Sequence, residues 1–181
     1  NVLYITLEMS EERIAERIDA NVLNIPMKEL PDLSKKMFSK KVDKISAKTK
    51  GKLIIKEYPT ASAHVGHFRH LLQELEIKKD FRPDIIFIDY LNICASHRIR
   101  AGSGANSYTL VKSIAEELRG LAVEFDVPIM SATQTTRSGY GSTDIGLEDT
   151  SESFGLPATA DMMFALITSE ELEELDQMVV K

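Results

Sequence analysis

The chain has 181 residues, of which 43% are hydrophobic and 28% charged, so it is expected to fold around a substantial core and is not a disordered chain. Its formal net charge of −6 excludes a broadly basic protein that coats nucleic acid, while a local DNA contact remains open. The single cysteine, Cys94, is typical of a reducing cytoplasm, and no apolar run approaches the roughly 18 residues of a membrane span.

Strand-like and helix-like segments alternate along the chain. Apolar β-type runs predict strands at residues 2–7, 53–58, 84–89, 129–133 and 162–167. The spacing of apolar residues predicts helices between them, with Ser10 and Ser62 as their expected N-caps. The lysine-rich segment 35–52 is interpreted as an amphipathic helix with a solvated outer face, and the acidic segment 169–177 as a short helix.

This alternation predicts one α/β domain over residues 1–181, with a mostly parallel sheet flanked by helices on both faces. The carboxyl ends of parallel strands meet at one edge of the sheet, where ligands bind. Three of the predicted strands end there in a polar residue, namely Glu8, Asp89 and Gln134. We therefore expect two carboxylates and an amide to converge at this edge.

The chemistry of each side chain suits it to one role at a nucleotide. Asp89 after an apolar strand is a Walker B pattern, in which the carboxylate holds Mg²⁺ over phosphates. Glu8 is suited to deprotonate an attacking water, and Gln134 to sense the terminal phosphate. Taken singly, Asp89 is equally typical of an Asp that starts a turn. Glu8 alone could be an exposed acid near a helix N-terminus, and Gln134 alone a polar loop residue.

A phosphate-binding loop of the form G-x-x-x-x-G-K-[ST] does not occur in the sequence. Either this loop lies upstream of Asn1, or the chain is not an active nucleotide hydrolase. The chain also begins without Met, so we expect an interior slice of a longer protein, and we expect this slice alone to hydrolyse no ATP.

Four ordered segments resemble motifs of the DnaB-type hexameric replicative helicases, in wording most like those of T-even-like phages. They are Tyr4-Ile5-Thr6-Leu7-Glu8-Met9-Ser10, Ile88-Asp89-Tyr90-Leu91, Ser131-Ala132-Thr133-Gln134-Thr135-Thr136-Arg137, and Asp149-Thr150-Ser151-Glu152-Ser153 followed by Ala160-Asp161. The resemblance covers the chain from end to end. Singly the motifs are weak, and together they are specific.

The resemblance implies a RecA-like P-loop NTPase core that lacks its Walker A loop, expected before Asn1, and its arginine finger, expected just beyond Lys181. It assigns Glu8 as the catalytic glutamate, Asp89 as the Walker B metal residue and Gln134 as the phosphate sensor. The implied cofactors are ATP and Mg²⁺, and the implied partners are single-stranded DNA, a homohexameric ring, a primase and a helicase loader. The implied direction of translocation is 5′ to 3′, in the host cytoplasm if the protein is phage-encoded.

The resemblance also implies two DNA-binding loops, at residues 98–106 and 137–154. Within the second loop, Ser151, Glu152 and Phe154 occupy the DNA-touching positions, although family members commonly carry an Arg where Ser151 stands. A hydroxyl or backbone N–H contact to phosphate would then replace the guanidinium. The basic residues beside the predicted catalytic edge are further DNA candidates: Arg98, Arg100 and Arg137.

Two other classes of function remain open at this point. A recombinase of the RecA or RadA type, or a regulatory ATPase, would share the fold. A non-catalytic ring component or adaptor would instead bind a partner through the lysine-rich segment. A phosphate-binding loop before Asn1 would favour the motor, and a K-x-R element after Lys181 would favour the helicase over the recombinase.

Overall fold

A computed structural model describes residues 1–100, 102–134 and 155–181 of the chain. The strands in these ranges are β1 Val2–Thr6, β2 Leu53–Glu57, β3 Ile85–Asp89, β4 Ile129–Ser131, β5 Leu166–Ile167 and β6 Val179–Val180. The α-helices are α1 Glu11–Leu23, α2 Lys35–Ser46, α3 Val65–Lys79, α4 Ser107–Phe125, α5 Gly155–Thr159 and α6 Glu170–Glu174. Short 3₁₀ helices cover Met27–Asp32 and Leu91–Ile93.

Within the described residues, strands β1 to β4 form a parallel sheet in the order β2-β1-β3-β4. The register places Thr6 of β1 opposite Glu57 on one side and Asp89 on the other, and it places Ile88 opposite Ser131. The predicted α/β fold with a mostly parallel sheet is thereby confirmed. All four strands point the same way, so their carboxyl ends share one edge.

The main core lies on one face of this sheet. Side chains alternate along a strand, so Leu3, Ile5 and Leu7 of the first strand segment turn toward the face that Ile86 and Ile88 also share. Helices α3 and α4 pack against each other and contribute to the same apolar cluster. The intervening residues of β1 and β3, among them Thr6 and Asp89, therefore face the opposite side.

Helix α1 packs beside β2, and its buried residues lie apart from the main cluster. The connection from β1 to β2 runs in the opposite direction across the sheet from the connections through α3 and α4. Because such crossovers are right-handed, α1 lies on the other face, as the predicted two-sided arrangement requires. No helix in the described ranges is both long enough and apolar enough to cross a membrane.

The helix starts follow from capping side chains. Ser10 accepts a hydrogen bond from the backbone N–H of Arg13 and confirms the predicted cap of α1. The predicted cap of α3, Ser62, is wrong, because its hydroxyl donates instead to the carbonyl of Pro59. His64 caps α3, with its Nδ1 accepting from Gly66 N at 3.0 Å.

The carboxyl-terminal segment departs from the prediction. Only Leu166–Ile167 of the predicted strand 162–167 is a strand, and it pairs antiparallel with Val179–Val180. Met162 is 72% exposed, so it does not pack in a strand core as its apolar surroundings predict. The amphipathic helix predicted within 35–52 is confirmed as α2, which ends at Ser46, and the short helix predicted over 169–177 is confirmed as α6. Neither helix has a buried residue.

We predict that His64→Ala destabilises the protein by about 1 kcal/mol at pH 7.5, because the start of α3 loses its acceptor. His64→Asn supplies a capping oxygen and should keep most of this stability. Urea unfolding of the two variants measures the difference in free energy. Equal losses in both variants would contradict a capping role for this side chain.

The same cap makes stability depend on pH. Burial lowers the pKa of His64, and the nearby His67 and His97 lower it further, while Glu117 opposes the shift. The unfolded chain therefore takes up this proton more readily than the folded chain, and the free energy of unfolding falls as the pH drops below about 6.5. Urea titrations at several pH values from about 8 to about 5 measure this change, and the free energy of unfolding of His64→Asn should fall less steeply than that of the wild type. An unchanged slope would rule out the linkage.

Candidate functional site

A tight turn after β1 carries Glu8, and Thr6 closes this turn. The Thr6 side chain is completely buried. Its hydroxyl donates to the carbonyl of Met9 at 2.8 Å and accepts from the backbone N–H of Met9 at 3.1 Å. This pair of hydrogen bonds fixes the backbone on both sides of Glu8, whose own side chain is exposed.

The turn is also held by β3 on one side and by the segment that follows β2 on the other. The backbone N–H of Leu7 donates to the carbonyl of Asp89 at 2.9 Å, which continues the pairing of β1 with β3. On the other side, the Thr60 hydroxyl donates to the carbonyl of Leu7 at 2.7 Å. Glu8 therefore stands one residue beyond an anchored backbone position, at the same sheet edge as Asp89.

Asp89 ends β3 on the face opposite the main core. The Tyr4 hydroxyl donates to Asp89 Oδ2 at 2.9 Å, and the Tyr4 ring lies 6.0 Å from that of Phe87. Burial raises the pKa of Tyr4, and the hydrogen bond to Asp89 and its negative charge raise it further. Tyr4 thus remains a neutral donor that orients one oxygen of the carboxylate. The Asp89–Tyr90 peptide bond is cis.

Gln134 follows β4 and is connected to the end of β3. Its Nε2 donates to the Tyr90 hydroxyl at 3.2 Å. The two segments stay side by side beyond the strands, because the backbone N–H of Leu91 donates to the carbonyl of Ala132 at 3.1 Å. The Ser131 hydroxyl adds a bond to the carbonyl of Ile88 at 2.7 Å. The amide therefore reaches the residue next to Asp89.

The three predicted catalytic residues accordingly lie at one sheet edge, on segments that are hydrogen-bonded in register. Among the residues that the structure describes, no cluster of three His, Cys, Asp or Glu side chains is arranged to hold a metal ion. Asp89 is a hard oxygen donor of the kind that Mg²⁺ prefers, and one protein carboxylate suits an ion whose other ligands are phosphate and water. The donor set therefore fits Mg²⁺ together with a nucleotide.

The first predicted DNA-binding loop begins nine residues after Asp89 in the chain. The Arg98 guanidinium forms ion pairs with Glu116 at 3.1 Å and with Glu117 at 3.5 Å. Arg100 is exposed and forms no ion pair with any described residue. Ala101 and the second loop lie outside the described residues, and so do the remaining predicted DNA contacts, Arg137, Ser151, Glu152 and Phe154.

Sequence reasoning missed the side chains that support the site. Tyr4, Thr6 and Tyr90 stand beside the predicted residues, but only the strand register shows which side chains meet. Glu117 carried a readable signal, because it and Ser113 are polar residues next to the apolar stripe of α4. The row His64, His67 and His70 lies at the start of α3. The rings of His64 and His67 lie 4.1 Å apart, and those of His64 and His97 lie 4.9 Å apart.

A parallel sheet flanked by helices, with acidic and amide side chains at its carboxyl edge, is the architecture of a RecA-like α/β domain. Solved structures support this class. The fold matches "The Structure Of A DnaB-Like Replicative Helicase And Its Interactions With Primase" with a TM-score of 0.74 and 20% identity, over 96% of this chain and 41% of that one. It also matches a second solved structure, that of an ATPase domain, with a TM-score of 0.72 and 20% identity, over 96% of this chain and 61% of that one.

The chain belongs to the family described as DnaB-like helicase C terminal domain, whose profile matches residues 1–179. It is 49% identical over 184 residues to the DnaB-like replicative helicase of Enterobacteria phage T4, covering 100% of this chain and 38% of the relative. It is 30% identical over 138 residues to a probable plasmid replicative DNA helicase of Chlamydia trachomatis serovar L2, covering 74% of this chain and 28% of the relative. The chain thus spans well under half the length of these two relatives.

We predict that Thr6→Val, which keeps the shape of the side chain, destabilises the protein by about 1–3 kcal/mol, because two backbone groups of Met9 lose their partner. Urea unfolding measures this loss. Thr49→Val is the matched control: its hydroxyl also bonds a backbone carbonyl, but at an exposed position just beyond α2. A loss in Thr6→Val no larger than in the control would show that the buried hydroxyl does not hold the turn.

Proposed function

We propose that this chain is part of an ATP-dependent replicative DNA helicase, which translocates on single-stranded DNA and unwinds duplex at the replication fork. One observation supports this best. The register of β1, β3 and β4 brings Glu8, Asp89 and Gln134 to a single sheet edge, where hydrogen bonds join their segments. Membership of the DnaB-like helicase family also supports the proposal.

Asp89 would hold Mg²⁺, directly or through water, beside the phosphates of ATP. When bound, the ion supplies charge neutralisation at the transferring phosphoryl group. The Tyr4 hydroxyl occupies one side of Asp89 Oδ2 and orients the carboxylate. Glu8 stands on an anchored turn at the same edge, with an exposed carboxylate that water can reach. It would accept a proton from the attacking water as general base.

Gln134 would hydrogen-bond the terminal phosphate and register its loss. In the structure its amide donates to the Tyr90 hydroxyl. A phosphate oxygen is a stronger acceptor than a phenol, so nucleotide binding would draw the amide away from Tyr90. Release of phosphate would restore the bond. This exchange would give the segment after β4, which leads toward the second predicted DNA-binding loop, two arrangements that depend on the nucleotide.

The remaining parts of the motor would come from outside this chain. A Walker A loop would cradle the phosphates, and an arginine finger from a neighbouring subunit would reach the nucleotide in a hexameric ring. Arg100 of the first loop, and Arg137, Ser151, Glu152 and Phe154 of the second, would meet the strand inside the ring, while Arg98, which pairs with Glu116 and Glu117, would hold the start of the first loop. A primase and a helicase loader would be partners in the host cytoplasm; one of the matching solved structures is of a helicase and its interactions with primase.

The test is ATP turnover by the full-length protein, with and without single-stranded DNA. We expect DNA to stimulate turnover of the wild-type protein. Glu8→Gln should lower kcat by about 10²- to 10⁴-fold, because the attacking water loses its base. Nucleotide binding, followed with a fluorescent ATP analogue, should persist in this variant.

Glu12→Gln is the matched control, since it removes the same charge from an exposed position on the first turn of α1. Its turnover should equal that of the wild type. Full activity in Glu8→Gln would refute the assignment of the base. ATP turnover that single-stranded DNA does not change would favour a regulatory ATPase. Strand exchange without unwinding would favour a recombinase, and no turnover from an assembled ring would favour a non-catalytic module.

A second prediction concerns Tyr4. Tyr4→Phe removes the donor to Asp89 Oδ2 and should raise the Mg²⁺ concentration for half-maximal turnover by about tenfold, the usual effect of losing a partner that orients a metal ligand. Tyr58→Phe is the control, because it removes a hydroxyl from a ring packed against Phe68, away from Asp89. An unchanged Mg²⁺ dependence in Tyr4→Phe would show that the carboxylate needs no such support.

A further inference from the structure

One buried carboxylate of α4 holds the start of the first predicted DNA-binding loop, residues 98–106. The side chain of Glu117 is only 6% exposed. Its Oε1 accepts from the Ser96 hydroxyl at 2.6 Å, and its Oε2 accepts from the backbone N–H of His97 at 2.8 Å. Weaker bonds reach Oε1 from the backbone N–H of Arg98 at 3.3 Å and from the Ser113 hydroxyl at 3.2 Å.

These donors explain how an acidic side chain is kept inside the protein. Burial alone raises the pKa of Glu117, but the bonds from Ser96 Oγ and from the backbone N–H groups of His97 and Arg98 outweigh it and leave the pKa below its ordinary value. The group is therefore an anion at neutral pH. A buried anion with several donors is a rigid arrangement, because moving any donor leaves charge without a partner.

The Ser96 hydroxyl extends the arrangement into the loop. It accepts from the backbone N–H of Arg98 at 3.1 Å and from that of Ile99 at 3.0 Å, while it donates to Glu117. On the preceding side, the backbone N–H of Ala95 donates to the carbonyl of Ala63 at 2.8 Å. The chain is thus fixed residue by residue from Ala95 to Ile99, and Arg100 is the next residue.

The Arg98 side chain belongs to the same anchor. Its guanidinium pairs with Glu116 and Glu117, and it also donates to the carbonyl of Ser113 at 3.2 Å. The charge of Arg98 is therefore matched inside the domain, whereas Arg100 forms no ion pair with a described residue. Of the two arginines in this loop, Arg100 is the one whose charge is available to a phosphate.

We propose that Glu117 is a positioning residue for DNA binding: its carboxylate fixes residues 96–99 and so sets where the loop, with Arg100, leaves the domain to meet DNA phosphates. This inference rests on the proposed function. Glu117 would touch neither nucleotide nor DNA. It orders the start of the loop before DNA binds. Binding then costs less conformational entropy, and the affinity for DNA is higher.

The test uses Glu117→Gln in the full-length protein, with Glu116→Gln as its control. The two variants make the same charge change on neighbouring residues, and both remove an ion pair of Arg98. Only Glu117→Gln places an amide donor against the Ser96 hydroxyl or the loop N–H groups. We expect the oligo-dT concentration for half-maximal ATPase stimulation to rise about tenfold in Glu117→Gln and by less than about twofold in Glu116→Gln, with kcat at saturating DNA similar in all three proteins.

A second variant reaches the anchor from the loop side. Ser96→Ala removes the hydroxyl without altering α4. It should also raise the oligo-dT concentration for half-maximal ATPase stimulation. The double variant should be less impaired than the two single effects combined, because both changes break one network. Ser96→Ala also keeps the proposal testable should Glu117→Gln not fold.

Hydrogen exchange separates this proposal from the proposed function. The amides of His97 and Arg98 should exchange faster in Glu117→Gln than in Glu116→Gln, whether or not DNA is present. The proposal would be overturned if Glu117→Gln changed neither the exchange rates nor the oligo-dT concentration for half-maximal stimulation. Equal effects in Glu117→Gln and Glu116→Gln would also overturn it. So would a loss of kcat with no change in that oligo-dT concentration. If the wild-type protein shows no response to oligo-dT, the proposed function fails, and the exchange rates alone then decide whether the anchor exists.

Discussion

The parallel pairing of β1 with β3 is the constraint on which the rest of the structure depends. Thr6 lies opposite Asp89, and the pairing continues through the bond from Leu7 N to the carbonyl of Asp89. A shift by one residue would turn every side chain of the strand to the other face of the sheet. Leu3 and Ile5 would then leave the main core, so the burial of these residues and the location of Glu8 beside Asp89 are fixed together.

This pairing also places the main core and the candidate site on opposite faces of the sheet. The main core and helices α3 and α4 occupy one face of the sheet, while Tyr4 and Asp89 occupy the other. Polar groups near the strand ends are satisfied by turns and neighbouring strands, as the hydroxyls of Thr6 and Thr60 illustrate. The candidate site therefore leaves no polar group of the core unpaired: among the described residues, every buried side-chain nitrogen or oxygen atom has a hydrogen-bond partner.

The sequence allowed the architecture to be predicted, and with it the convergence of Glu8, Asp89 and Gln134 at one sheet edge, because strand ends can be read from apolar runs and their meeting follows from parallel pairing. It did not reveal Tyr4 as the partner of Asp89, since the register is a tertiary property. Local rules failed where two candidates competed. Ser62 has the higher intrinsic preference for an N-cap, yet the chain before α3 places His64 at the helix start. The apolar run at Met162 predicted a longer strand than the one that forms.

Glu117 illustrates what an ionised group contributes that an apolar side chain of the same volume does not. An apolar residue there would avoid the cost of burying a charge, and in other proteins such replacements are often neutral or stabilising. It would, however, leave the backbone N–H of His97 and the Ser96 hydroxyl free to choose other partners. A carboxylate requires them in one arrangement. Under the proposed function, the chain's net negative charge does not prevent DNA binding, because two of its acidic residues pair with Arg98 at the start of the loop and leave the exposed Arg100 to meet phosphate.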